Sequence, residues 1–318
     1  MPGTRLDLAR IQAARRVIDP VFLETPLYRC EALEPALGCA VSIKLETANP
    51  VRSFKARGTE VIASRPGSPA VVCASAGNLG QALAWSGRRR GLGVTVVASR
   101  YATTAKLERI RALGARLELV DGDHELARER AAAIARRDGI RLVEDSLDLE
   151  TCEGAATIGL ELVDAGPSFD AVLIALGGGA LATGVGHVLR ARAPSTEVIC
   201  VQPQGAPAMT RSWHERRVVT TGPTNTIADG VAGRCPIPEV LDDLLVVADD
   251  AVLVGEASII AGVRLLFDHA GLVVEPSAAL GVAAILEDPR RFAGRHVVTI
   301  VCGGNVDPAA HRGWTHPA

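Results

Sequence analysis

Short, continuously apolar runs recur along this chain, and between them lie longer segments whose apolar positions return at helical spacing. PAVVCAS (69–75), GVTVVAS (93–99), RLELV (116–120), RLVED (141–145), FDAVLIAL (169–176), EVICVQP (197–203), LLVVAD (244–249) and HVVTIVCGG (296–304) read as strands. Helices are predicted near 79–90, 103–113, 123–137 and 152–165, then from the glycines after 176 to about 191, and near 250–270 and 277–287. Strands without polar alternation are covered on both faces, and their alternation with helices implies parallel βαβ units. The expected fold class is α/β, with mostly parallel sheets covered by helices. The Pro-, Gly- and Thr-rich stretch 203–240 reads as an irregular excursion of the kind that often has a functional role.

Composition narrows the class. With 318 residues, 48% hydrophobic and 22% charged, the chain has enough apolar material for one large or two medium domains. A net charge of −2 offers no field for nucleic acid or an anionic membrane surface. The uncharged stretch 171–189 is broken by glycines and a histidine, so it reads as strand, loop and helix, not as a membrane span. The N-terminal MPGTRLDLARIQAARRV has acidic residues and no apolar core, unlike a signal peptide. Seven cysteines without CxxC spacing point to reduced thiols and a cytoplasmic location.

Candidate chemistry begins with a bias. Lysine occurs only at Lys44, Lys55 and Lys106, whereas the 34 basic residues are otherwise arginine. A neutral, nucleophilic amine is the one task arginine cannot perform. Lys55, in NPVRSFKARGTE (49–60), is therefore either such an amine or an ordinary surface lysine. LGGGALATG (176–184) follows a strand and opens a helix, a setting that favours an anion. No Gly-Lys-Ser/Thr follows, which excludes a P-loop. A loose dinucleotide pattern, Gly177-x-Gly179-x-x-Ala182, lacks its acidic partner, since Gln202 stands at the next strand end. A small-molecule phosphate site, a dinucleotide site and a tight structural turn all remain open. SAGNLGQA (75–82) is either a carboxylate cradle or a plain helix cap, and the cysteine of VCGGN (301–305) is either functional or a small buried apolar residue.

Taken in order, TPLYRCEALE (25–34), IKLETANPVRSFKARG (43–58), SAGNLGQA, GGGAL, TIADGVAG (226–233), VEPSAA (274–279) and CGGN resemble the fold-type II pyridoxal-phosphate (PLP) enzymes, the tryptophan synthase β family. Within it the chain looks most like the threonine/serine dehydratases. The resemblance implies a large domain of residues 1–45 and 145–318, a small domain of 46–144, and PLP in the cleft between them. It implies that Lys55 forms the Schiff base with PLP and is the base on Cα, that Phe54 lies against the ring, and that Asn78 hydrogen-bonds the 3-hydroxyl. The N–H groups of Gly177, Gly178, Gly179, Ala180 and Leu181 would hold the phosphate. Cys302 would face the pyridine nitrogen and Glu275 would lie near the ring. Ser75, Ala76, Gly77 and Asn78 would bind the substrate carboxylate.

The activity implied is β-elimination from L-threonine or L-serine, giving a 2-oxo acid and ammonia. Rivals are β-replacement of the cysteine-synthase type, elimination on 3-hydroxyaspartate or a diamino acid, and a non-catalytic amino-acid- or PLP-binding module. A homodimer is the expected assembly and a small amino acid the expected partner. The chain departs from the family's pattern in several places. Arg52 replaces the usual glycine and would pair with a second substrate carboxylate if it points into the cleft. Leu79 stands where dehydratases often have histidine, so selectivity is expected from Leu79, Arg52 and the 203–225 segment. Gln202 and Ala208 stand where relatives have cation-binding carboxylates, so no metal is expected. Ala76 replaces the serine that serves serine racemases as a second proton donor.

Overall fold

A computed structural model describes residues 3–65, 67–166 and 168–316. Its ten strands are β1 (Leu27–Arg29), β2 (Ala40–Leu45), β3 (Ala70–Ala74), β4 (Gly93–Ser99), β5 (Arg116–Val120), β6 (Arg141–Val143), β7 (Ala171–Ala175), β8 (Glu197–Pro203), β9 (Asp250–Val254) and β10 (His296–Val301). They form two sheets. A six-stranded sheet runs β1-β2-β10-β7-β8-β9, and a four-stranded sheet runs β5-β4-β3-β6. Every pairing is parallel except β1 on β2. All five residues of β7 are buried, which is why that run carries no polar alternation. The mostly parallel α/β fold class is as expected.

Two sequence readings change. LLVVAD is not a strand, because most of it closes helix Pro238–Val247. Val240, Leu241, Leu244 and Val247 recur at helical spacing and are all buried, and Pro238 opens the helix where its missing N–H costs nothing. The next strand begins at Asp250, so the helix expected from 250 starts at Glu256 instead. The pattern also gave no sign of β1, β2, helix Leu8–Val17 or helix Lys55–Ser64.

That last helix carries the residue of most interest, and its N-terminal half is fixed at two places. Ser53 bridges to Gly303 and the Phe54 N–H donates to the Cys302 carbonyl at 3.1 Å, tying the lysine segment to the end of β10. Three residues on from Lys55, Gly58 presses against helix Leu149–Asp164, where a Cβ would meet Thr151 Cα at 2.7 Å. Gly154 returns the contact, since a Cβ there would meet Gly58 Cα at 2.4 Å. Both positions therefore require glycine, and the two helices touch backbone to backbone. No helix among the described residues is long and apolar enough to cross a membrane.

Candidate active site

The C-terminal ends of four parallel strands converge on one cavity of about 640 Å³, a volume suited to a cofactor or small ligand. β10 delivers Cys302, β7 delivers Gly177–Gly179, β3 delivers Ser75–Asn78, and β6 delivers Glu144 and Asp145. Strand ends of parallel sheets are where such folds place ligands. Phe54, Lys55, Ala180, Leu181 and Glu275 complete the part of the wall singled out in the sequence.

The glycine loop is shaped by sterics. A Cβ on Gly178 would meet Ser146 Oγ at 2.7 Å, and one on Gly179, whose φ is +110°, would meet Val240 Cγ1 at 2.4 Å. The loop then opens helix Ala180–Arg192, whose first turn presents N–H groups and the positive end of the helix dipole. Ser146 Oγ accepts one of them, from Ala180, at 3.1 Å.

Lys55 lies over the Phe54 ring, with Nζ 4.7 Å from its centroid, and donates to Asp145 Oδ2 at 2.6 Å. Glu275 is buried and accepts from Asn78 Nδ2 at 2.9 and 3.1 Å. Burial pushes its pKa up to about 7, although the Asn78 amide works the other way. Asn305 holds the far side of Asn78, donating to its Oδ1 at 2.8 Å and to the Val51 carbonyl at 2.8 Å. Arg109 in turn donates to Asn305 Oδ1 at 2.8 Å. Burial and the nearby Glu275 push the Cys302 thiol far above its ordinary pKa, so it stays neutral at any physiological pH.

Over residues 18–303 the chain matches the sequence profile described as pyridoxal-phosphate dependent enzyme. The chain belongs to that family. It is 31% identical over 306 residues to the L-threonine ammonia-lyase of Thermotoga maritima, covering 95% of this chain and 76% of that one. It is 32% identical over 308 residues to the phenylserine dehydratase of Ralstonia pickettii, covering 95% of this chain and 94% of that one. The structure of the processed form of threonine deaminase isoform 2 from Solanum lycopersicum superposes with a TM-score of 0.89 at 29% identity, covering 99% of this chain and 90% of that one.

As a member of this family the chain is PLP-dependent, and its cavity fits the cofactor. The loop at 177–179 has room for no side chain and so brings its backbone to the cavity wall, an amine stands in the cavity, and a neutral thiol lines it. All but one of the cofactor- and substrate-binding residues expected from the sequence line this single cavity. The exception is Arg52, which is absent from the wall, with Nη2 packed beside Gly304. Its backbone φ of +53° explains why glycine is the usual residue there. Leu79 does line the cavity, but the 203–225 segment does not, and residues 229–237 take that place. Gln202 is buried in another role, accepting from the Thr210 N–H at 3.0 Å. Sequence reasoning missed Asp145, which had been read as the last residue of a strand. It also passed over Asn305, quoted only as the end of a motif. The available signal for Asp145 was its place at the carboxyl end of a parallel strand.

Proposed function

We propose that this chain is a PLP-dependent lyase that removes the β-substituent of a small amino acid, with L-threonine and L-serine as substrates, yielding a 2-oxo acid and ammonia. The observation that carries the reading is the amine of Lys55, set beside the Phe54 ring in a cavity also lined by the Gly177–Gly179 loop and a neutral thiol. Bound there, PLP supplies an electron sink conjugated to the substrate's Cα. Lys55 holds the cofactor and then takes the Cα proton, a double task open to an amine and closed to arginine. The turn Ser75–Asn78 orients the substrate carboxylate, and its Ser75 Oγ accepts from the Gly77 N–H at 3.2 Å, keeping the turn tight. Gly177–Leu181 bind the phosphate through backbone N–H groups.

A neutral Cys302 does not reinforce a positive charge on the ring nitrogen, so elimination is favoured over transamination. Ala76 has no proton to give, so inversion at Cα lacks a second acid–base group. A small domain of 46–144 against a large one of 1–45 and 145–318 belongs to the same reading, supported by the separate four- and six-stranded sheets. So do homodimeric assembly and a cytoplasmic location, the latter supported by seven unpaired thiols. The test is a panel of amino acids screened for 2-oxo acid and ammonia release and, by chiral analysis, for D-product. Release from L-threonine or L-serine without D-serine is the expected outcome. Substantial D-serine, or product only when a second nucleophile is added, would replace the reading with a racemase or a β-replacement enzyme.

A further inference from the structure

Asn78 opens helix Asn78–Arg90, and its side-chain amide has two ends alike in shape and opposite in chemistry. Nδ2 donates, Oδ1 accepts, and half a turn about the last bond exchanges them. The backbone does not decide which end faces Glu275 and the cavity. Glu275 does not decide it either. Its carboxyl, pushed up to about 7 by burial, accepts when ionised and donates when protonated, so near neutral pH it suits either end.

Asn305 does decide it, because two groups of fixed polarity hold its own amide. The Val51 carbonyl can only accept, and it takes an N–H of Nδ2 at 2.8 Å. The Arg109 guanidinium can only donate, and its Nη1 reaches Oδ1 at 2.8 Å. Turning the Asn305 amide round would set oxygen against oxygen and N–H against N–H. Nδ2 also donates to Asn78 Oδ1 at 2.8 Å, so Asn78 must present its own Nδ2 to Glu275, as it does at 2.9 and 3.1 Å. Asn305 is only 8% exposed, and its nitrogen and its oxygen are both engaged. The chain of bonds also joins the two sheets' surroundings. Arg109 stands on helix Thr104–Ala112, which links β4 to β5, whereas Asn305 follows β10.

We infer that Asn305, locked by Arg109, is a positioning residue that sets the polarity of the Asn78 amide, so that an N–H rather than a lone pair meets the 3-oxygen of the cofactor ring. This rests on the reading of Asn78 as the partner of that oxygen. The 3-oxygen, once ionised, only accepts, and an amide oxygen turned towards it would repel it. Arg109 stands outside the cavity wall and acts on the ring edge only through the two asparagines.

The test reads the 3-oxygen contact apart from turnover. Cofactor-free enzyme is titrated at mildly alkaline pH with PLP and with its 3-deoxy analogue. The ratio of the two affinities is compared in the unaltered chain, Asn78→Ala, Asn305→Leu, Asn305→Asp and Arg109→Met. Contacts other than those to the 3-oxygen cancel in that ratio, and Asn78→Ala measures what the Asn78 contact contributes. Asn305→Leu should lower the preference for PLP by about 10-fold, the worth of one hydrogen bond to a charged oxygen. Asn305→Asp should lower it at least as far, because a neighbour that only accepts draws the Asn78 N–H to itself and turns the Asn78 oxygen to the ring. Arg109→Met leaves the Val51 contact in place and should lower it by a smaller factor. Thermal unfolding reports that each variant is folded, and if Asn305→Leu is not, Asn305→Asp and Arg109→Met decide. A preference that falls in Asn78→Ala but not in the Asn305 variants would overturn the inference. So would equal weakening of both ligands in those variants, the mark of a structural role alone. A preference unmoved even in Asn78→Ala would overturn the reading of Asn78, and the inference with it.

Discussion

Two of the three lysines stand in opposite circumstances. Lys44 is 1% exposed and lies in a closed cluster, donating to Glu161 at 2.5 Å and to the Thr25 carbonyl at 2.6 Å. Arg57, wholly buried beside it, donates to Glu161 at 2.6 Å and to both oxygens of Glu46 at 2.8 Å. Two cations and two carboxylates thus balance, and every charge has partners. Burial works against the Arg57 charge, yet Glu46 and Glu161 hold its pKa above the ordinary value. Burial likewise opposes ionisation of Glu161, and Arg57 and Lys44 still hold it below the ordinary carboxylate range. Lys55, by contrast, has one charged partner, and that partner has an oxygen to spare. A saturated cluster holds a fold together and has no chemistry left to offer. An unsaturated one is available for reaction.

The contrast is broken or sharpened most strongly at the lysines themselves. Lys55→Ala should lose the visible cofactor band and at least about 10³-fold in kcat, since the proposed function makes holder and base one group. Retention of both band and turnover would move the chemistry elsewhere. Lys44→Met should keep the band but lower stability by about 3 kcal/mol in denaturant unfolding, because it removes one partner from a buried charge cluster. A Lys44→Met protein as stable as the original would show that the cluster is not saturated.

Glu275 tests the open side through pH. Its carboxyl titrates near 4.5 when unfolded and is pushed up to about 7 by burial in the fold. The fold thus favours the protonated form, so this group's stabilising contribution is complete below pH 4.5 and declines as pH rises through 7. The decline is on the order of 1–3 kcal/mol. Thermal unfolding followed from pH 4.5 to 8 should lose that slope in Glu275→Gln. An identical slope in the variant would place the titration in another group. The smallest effect is expected at Arg52→Gly, which relieves a left-handed backbone at +53° but loosens the unfolded chain. The net gain should not exceed about 1 kcal/mol in thermal unfolding, and the ratio of rates on threonine and 3-hydroxyaspartate should stay the same. A changed ratio would return Arg52 to the site.

The small sheet was almost fully legible in the sequence, because each of its strands is a short apolar run bracketed by polar or glycine residues. GVTVVAS and RLELV coincide with β4 and β5 at both ends, as EVICVQP does with β8 in the large sheet. LLVVAD misled because an uninterrupted apolar run of that length suits a strand or one face of a helix equally well. The deciding cue, Pro238 ahead of a helical recurrence of apolar positions, lay outside the run itself. In the site, motif order located Lys55, the glycine loop, the Ser75 turn and Cys302 in one cavity. Asp145 escaped because a carboxylate at a strand end looks like any solvated residue until the strand beside it is known. Pairing between β3 and β6 is a tertiary fact that no local pattern encodes.

The glycine contact behind Lys55 bears on positional tolerance. With no side chains between the Lys55–Ser64 and Leu149–Asp164 helices at Gly58 and Gly154, nothing there can rotate to another rotamer and let one helix slip along the other. The backbone that bears Lys55 is thus held with almost no play, while Lys106, also in the cavity wall, reaches Asp229 on a long, jointed arm. Adjustment to the size of a guest therefore falls to side-chain arms such as those of Lys106 and Lys55, while the backbone beneath Lys55 keeps its address.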